Sequence, residues 1–331
     1  MAFDTRDTGD TEDAFDSGDY DDSGDYDEFG MLGDNAAEAG LSLTASPRVA
    51  RVSFEVKDGP PVSALAWGDA EPELVLLHGG GQNAHTWDTV ALALGRPLLA
   101  IDLPGHGHSG RRQDRDYGPW RNAEAVASVI EQAAPAARGV VGMSLGGSTL
   151  IRLAATRPDL VRRAVLVDVT PNSGVRSRAL ALADRGAVAL VSGPPVYESF
   201  EAMAAAAVAA SPGRPRSAVE RGVRHNARRL PDGRWTWRYD LFGERPAAVG
   251  DHTGLWADVP TITAGVMLVL GADSPFTAEQ DVAEFRRLLP AARVEVVPNA
   301  GHAIQSDQPL RLTHLTEDFI FSAATSQNRS L

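Results

Sequence analysis

The sequence predicts an α/β protein: one parallel sheet with helices on both faces, interrupted by a helical insert. Three observations point to it. Apolar runs such as "ELVLLHGGG" (73–81) and "PLLAIDLPG" (97–105) end in glycine or turn residues, as strands buried on both faces do. Segments with helical periodicity alternate with these runs. The alternation stops after "RAVLVDV" (163–169) and resumes at "VMLVLGADS" (266–274), which leaves residues 171–254 as a long insert.

Each element follows from local pattern. "RVSFEV" (51–56) alternates as a half-buried strand, and "VSALAWG" (62–68) reads as its hairpin partner. After the strand at 73–81, Thr86 to Leu94 has helical character, then comes the strand and turn at 97–105. Residues 120–134 read as a helix, "GVVGMS" (139–144) as a strand, and 146–157 as a helix stopped near Pro158. The insert is rich in alanine and arginine, with helical stretches around 178–191, 198–210 and 216–229, followed by "DGRWTWRYD" (232–240). A helix at 278–288, "ARVEVVPNAGH" (292–302) as strand and loop, and a helix at 309–322 complete the chain.

The net charge of −13 is unevenly distributed. Residues 1–34 hold eleven Asp, two Glu and only Arg6, a net of −12, so the remainder carries about −1. "DSGDYD" occurs twice in tandem, at 16–21 and 22–27. So charged a segment, so poor in aliphatic residues, is expected to be a disordered acidic tail over 1–45. Its aspartates lack the spacing of a calcium-binding loop. The expected layout is therefore tail 1–45, core 46–170, cap 171–254 and core 255–331.

A near-neutral body with no basic face offers nothing for nucleic acid. No apolar run is long enough to span a bilayer, and the acidic start is unlike a secretory signal, so a cytoplasmic protein without membrane contact is expected. The chain has no cysteine, which excludes disulfides, thiolate metal sites and a cysteine nucleophile.

Ligands of open parallel sheets gather at the carboxyl ends of the strands. His78 with Gly79, Gly80 and Gly81, then Ser144, Asp273 and His302 all fall at such ends. "GMSLG" (142–146) fits G-x-S-x-G, in which a serine projects from a strand-to-helix turn; an ordinary helix cap is the competing reading of Ser144. A serine hydroxyl needs a base, and an imidazole needs an orienting carboxylate. His302 follows a late strand and Asp273 follows the strand before it, which makes Ser144, Asp273 and His302 a candidate triad. Asp168, one strand earlier, is the rival acid. The amides of Gly80 and Leu145 are placed to stabilise an oxyanion. "DLPGHGHS" (102–109) could bind metal through Asp102, His106 and His108, but a tight structural turn is the preferred reading, and no metal or other cofactor is expected.

Taken together, "LVLLHGGGQNAHTWD", "LLAIDLPGHGHS", "VVGMSLGG", "LVLGADSPF" and "PNAGHAIQSDQP" resemble the α/β-hydrolase fold superfamily over roughly residues 48–325. The resemblance implies a mostly parallel eight-stranded sheet with a helical cap inserted after strand six. It implies Ser144, Asp273 and His302 as triad, with Gly80 and Leu145 as oxyanion amides. Serine at the elbow argues against the dehalogenase and epoxide hydrolase branches, which carry aspartate there. The expected activity is hydrolysis of an ester, thioester or lactone of a small or medium apolar molecule. Carbon–carbon hydrolysis of a dicarbonyl compound and a non-catalytic ligand-binding role are the alternatives. Trp235, Trp237, Phe276 and Ile304 are candidate pocket residues.

Overall fold

The apolar runs assemble into an eight-stranded sheet. The structure is a computed structural model and describes residues 26–180, 194–240 and 251–322. In chain order its first part contains α1 (Leu32–Glu38), β1 (Val49–Phe54), β2 (Val62–Trp67), β3 (Leu74–Leu77), α2 (Asp88–Leu94) and β4 (Leu98–Ile101). Then follow α3 (Pro119–Ala133), β5 (Gly139–Met143), α4 (Leu145–Thr156) and β6 (Arg163–Val167). The insert contributes α5 (Ser173–Ala179), β7 (Val196–Tyr197), α6 (Phe200–Ala209), α7 (Arg216–Asn226), β8 (Ala227–Arg229) and β9 (Trp235–Trp237). The chain closes with β10 (Gly265–Gly271), α8 (Glu279–Leu288), β11 (Arg293–Val297), α9 (Ile304–Asp307) and α10 (Pro309–Phe321).

The strand order is β1-β2-β4-β3-β5-β6-β10-β11. β2 runs antiparallel to both β1 and β4, and from β4 onward the neighbours are parallel. Successive side chains of a strand point to opposite faces. Accordingly, Val75 and Leu77 join one apolar cluster with Val126 and Ile130 of α3 and Leu150 and Leu153 of α4. Leu74 and Leu76 join the other, with Val90 and Leu94 of α2 and Leu312 and Leu315 of α10. Every residue of β3, β4 and β5 is buried, which explains why these strands read as unbroken apolar runs.

Two expectations about domain layout need correction. The insert is not purely helical: β7, β9 and β8 form a three-stranded antiparallel sheet. Residues 227–229, expected to end a helix, pair instead with Trp235–Trp237, from Ala227↔Trp237 to Arg229↔Trp235. The turn between them closes with Leu230 N–H donating to Arg234 O at 2.7 Å, and Gly233 adopts φ 88°. Trp-Thr-Trp offers β-branched and aromatic side chains to a strand, and Pro-Asp-Gly offers turn chemistry. Most of the helix expected over 178–191 lies outside the described residues.

The acidic tail does not extend to residue 45. Leu32 and Ala36, one helical turn apart on α1, are both buried, and Leu32 joins the cluster that holds α2. That i, i+4 pair gives the segment enough apolar surface to dock despite the charges around it.

Candidate active site

β5 delivers Ser144 to the edge of the sheet. The residue follows Met143, precedes the first residue of α4, and adopts φ 50° and ψ −112°, a strained conformation for a non-glycine residue. The close approach that demands the flanking glycines comes from the fold itself. A Cβ on Gly142 would lie 2.5 Å from Gly146 O, and one on Gly146 would lie 2.4 Å from Leu77 O. Gly146 N–H also donates to His78 O at 3.0 Å, which ties the elbow to the end of β3.

The Ser144 hydroxyl lies 3.0 Å from His302 Nε2, and His302 Nδ1 lies 2.7 Å from Asp168 Oδ2. Three elements supply the run: β5 brings the serine, β6 leads into Asp168, and the loop after β11 carries the histidine. Phe276 stacks on the imidazole with ring centroids 4.1 Å apart. Asp168 is fully buried. Its Oδ1 accepts from Gly271 N–H at 3.1 Å, and its Oδ2 accepts from the Ser274 hydroxyl as well as from His302. Its buried carboxylate oxygens are thus both supplied with hydrogen-bond donors.

The carboxylate bonded to His302 is thus that of Asp168, and Asp273, the expected partner, does not occupy that place. β6 and β10 are parallel neighbours, with Val167 opposite Val269, so each ends in an acidic position near the same edge. After β10, however, Ser274 N–H donates to Gly271 O at 3.2 Å. The resulting turn sends the Ser274 hydroxyl toward Asp168 and leaves Asp273 exposed on the cavity wall.

Ser144 and His302 open onto a cavity of about 1010 Å³ between the sheet edge and the insert. Gly80 and Leu145 both line it. Leu145 is the first residue of α4, so its N–H has no partner within the helix. Of the four expected pocket residues, Trp237 and Phe276 line the cavity, with Met143. Trp235 and Ile304 do not. Trp235, on the same face of β9 as Trp237 but two residues earlier, packs edge-on against Phe200 at 5.4 Å. Ile304 is fully buried in the core at the start of α9.

The "DLPGHGHS" segment is structural. Asp102 accepts from Ala84 N–H at 2.7 Å, His108 N–H at 3.0 Å and Arg51 Nη1 at 2.8 Å. Burial lowers the pKa of both His78 and His106, the latter to about 3. His78 Nδ1–H donates to Gly79 O, and its Nε2 accepts from Leu103 N–H, which fixes the turn under the site. Three residues that sequence patterns did not single out, the half-buried Glu28 and Arg51 and the buried His85, form a charged group beside the cavity. Each is unremarkable in sequence; only the docking of α1 gathers them.

A sequence model of the alpha/beta hydrolase family matches residues 74–314. Esterase Rv0045c of Mycobacterium tuberculosis is 48% identical over 288 residues, 87% of this chain and 93% of that protein. Its crystal structure superposes with a TM-score of 0.78 at 46% identity, covering 88% of this chain and 97% of that one. The sn-1-specific diacylglycerol lipase ABHD11 of Mus musculus is 28% identical over 73% of this chain and 79% of its own. Among the described residues, no helix is long and apolar enough to cross a membrane.

Proposed function

The chain belongs to the alpha/beta hydrolase family, and from that premise we propose that it is a serine esterase that works through an acyl-enzyme. The observation that carries this reading is the hydrogen-bonded run Ser144–His302–Asp168 at the mouth of the cavity. Likeness to an esterase at 48% identity supports the same reaction class.

In this reading Ser144 Oγ attacks the ester carbonyl while its proton passes to His302 Nε2. Asp168 holds the imidazole in the tautomer that leaves Nε2 free to accept, and stabilises the imidazolium that forms. The carbonyl oxygen gains charge and receives the N–H groups of Gly80 and Leu145, which need no reorganisation. His302 then gives its proton to the departing alcohol. Water enters, loses a proton to His302 and attacks the acyl-enzyme, and Ser144 leaves with its proton restored. Trp237, Phe276 and Met143 give the cavity apolar walls, which suit a small or medium apolar ester. Thioesters and lactones can follow the same steps.

A fluorophosphonate probe with mass spectrometry, alongside a panel of chromogenic esters graded in acyl length, tests the proposal. Labelling at Ser144 and turnover of at least one ester are expected. A folded wild-type protein that is neither labelled nor active on any member would overturn it.

A further inference from the structure

Residues 26–40 bridge the two halves of the cavity. Tyr26 and Glu38 lie toward opposite ends of this strap, and both grip α7 of the insert. Tyr26 Oη lies 2.7 Å from His225 Nδ1. Glu38 accepts from the Ser217 hydroxyl at 2.7 Å and pairs with Arg221. Between these grips the strap is fastened to the core. Glu28 accepts from Arg51 Nε at 2.7 Å and from His85 Nε2 at 3.0 Å, while Leu32 and Ala36 are buried on α1, which packs against α2.

The cluster His85, Asp88 and His225 is spaced as metal ligands can be, but its chemistry is that of an ion-pair network. His85 Nδ1 lies 2.9 Å from Asp88 Oδ2 and its Nε2 faces Glu28, so both ring nitrogens donate and neither has a lone pair to offer. The His225 ring lies flat against His85, with centroids 3.8 Å apart and planes 10° apart, so their in-plane nitrogens run parallel and do not converge on one point. The network is a fastening. From it α7 reaches the nucleophile side of the cavity: Asn226 Nδ2 donates to Gly81 O at 2.7 Å and Asn83 Nδ2 donates to His225 O at 2.9 Å.

We propose that residues 26–40 are a wall of the substrate site that fixes α7 over Ser144 and limits the length of acyl chain the cavity accepts. Asn35, Glu38 and Ala39 line the same cavity as Ser144 and His302. Ala39 is small and Glu38 is held to the insert, so this side of the cavity is set by a short side chain on a segment pinned at both ends. Bulk at residue 39 removes cavity space directly. Loss of the Glu38 grip frees α7 to retreat.

The inference rests on the esterase reading, and the experiment separates the two. Ala39→Trp and Glu38→Ala, checked for folding by circular dichroism, are assayed on chromogenic esters from acetyl to decanoyl and with alkyl fluorophosphonates of matching lengths. Ala39→Trp is expected to lower kcat/KM for the long esters by about tenfold relative to acetyl, the scale on which an apolar pocket senses methylenes. Glu38→Ala is expected to shift the long-to-short ratio the opposite way, through KM more than kcat. Wild type inactive on every ester and unlabelled would sink the esterase reading. An active wild type with a folded Ala39→Trp variant whose long-to-short ratio stays within about twofold in both assays would sink the wall.

Discussion

Asp168 Oδ2 lies 2.7 Å from His302 Nδ1, while Asp273, 29 residues before that histidine, stands exposed on the cavity wall. The buried carboxylate can fix the imidazole tautomer and the exposed one cannot. Asp168→Asn should lower kcat roughly 10⁴-fold, the effect of misplacing the proton on the catalytic imidazole. Asp273→Asn should cost only a few-fold. Steady-state kinetics on one ester decides between them, and the reverse ranking would return the acid to Asp273.

The contest between these two aspartates shows where sequence becomes ambiguous. Ser144 is legible because a serine between a buried strand and a helix, with a glycine two residues to either side, has few other uses. His302 is legible because it follows the last strand. The acid is not, because β6 and β10 are neighbours that end at one edge, and the choice turns on a single tight turn at Gly271–Ser274. The core strands were readable for a comparable reason: double burial writes continuous apolar runs. β7, β8 and β9 have two or three residues each, too few for a pattern, and Ala227–Arg229 becomes a strand only because Trp235–Trp237 pairs with it. The docking of residues 26–40 depends on Leu32, Ala36 and two useful charges, Glu28 and Glu38, within a segment whose composition is dominated by acid.

Ser144 holds φ 50° and ψ −112°, so the nucleophile position trades stability for exposure of its hydroxyl. Ser144→Ala should abolish turnover and leave the thermal midpoint nearly unchanged, since alanine keeps the same strained backbone. Ser144→Gly should also be inactive but more stable by about 1 kcal/mol, because glycine adopts positive φ without a Cβ clash. Urea melts of the three proteins test the ordering. Equal stability of the Ala and Gly variants would mean that the elbow is not strained.

Gly146 has a different burden. A Cβ there would lie 2.4 Å from Leu77 O and 2.6 Å from His78 O, both backbone atoms that cannot rotate aside. Gly146→Ala must push α4 away from the end of β3, which should cost about 2–3 kcal/mol of stability. The same displacement would move Leu145 N–H away from Gly80, so the remaining folded protein should also lose kcat. A variant with wild-type stability and rate would show that the elbow accommodates the methyl group by a shift too small to matter.

The strap makes stability depend on pH in a stated direction. Burial opposes charge on His85, but the carboxylates of Asp88 and Glu28 hold its pKa up to about 9, against an ordinary 6.5. A group whose pKa is raised by folding stabilises fully below 6.5 and loses that contribution as pH climbs through about 9. Glu28 acts at the other end. Burial opposes its charge too, yet hydrogen bonds from His85 and Arg51 keep its carboxyl well below the ordinary 4.5, so its contribution is intact above 4.5 and fades as pH falls through the folded value. The contributions of Glu28 and His85 therefore overlap between about 4.5 and 6.5, and that of His85 fades toward 9. Burial lowers the pKa of His78, His106, His225 and His252, which moves the titration of these imidazoles away from that upper window. Thermal midpoints of wild type should fall as pH is raised from 6.5 to 9. His85→Gln should start lower at pH 6.5 and follow a flatter course, because its hydrogen bonds carry no proton to lose. Differential scanning fluorimetry across this range measures both curves, and parallel curves would mean that the charge on His85 does not hold the strap.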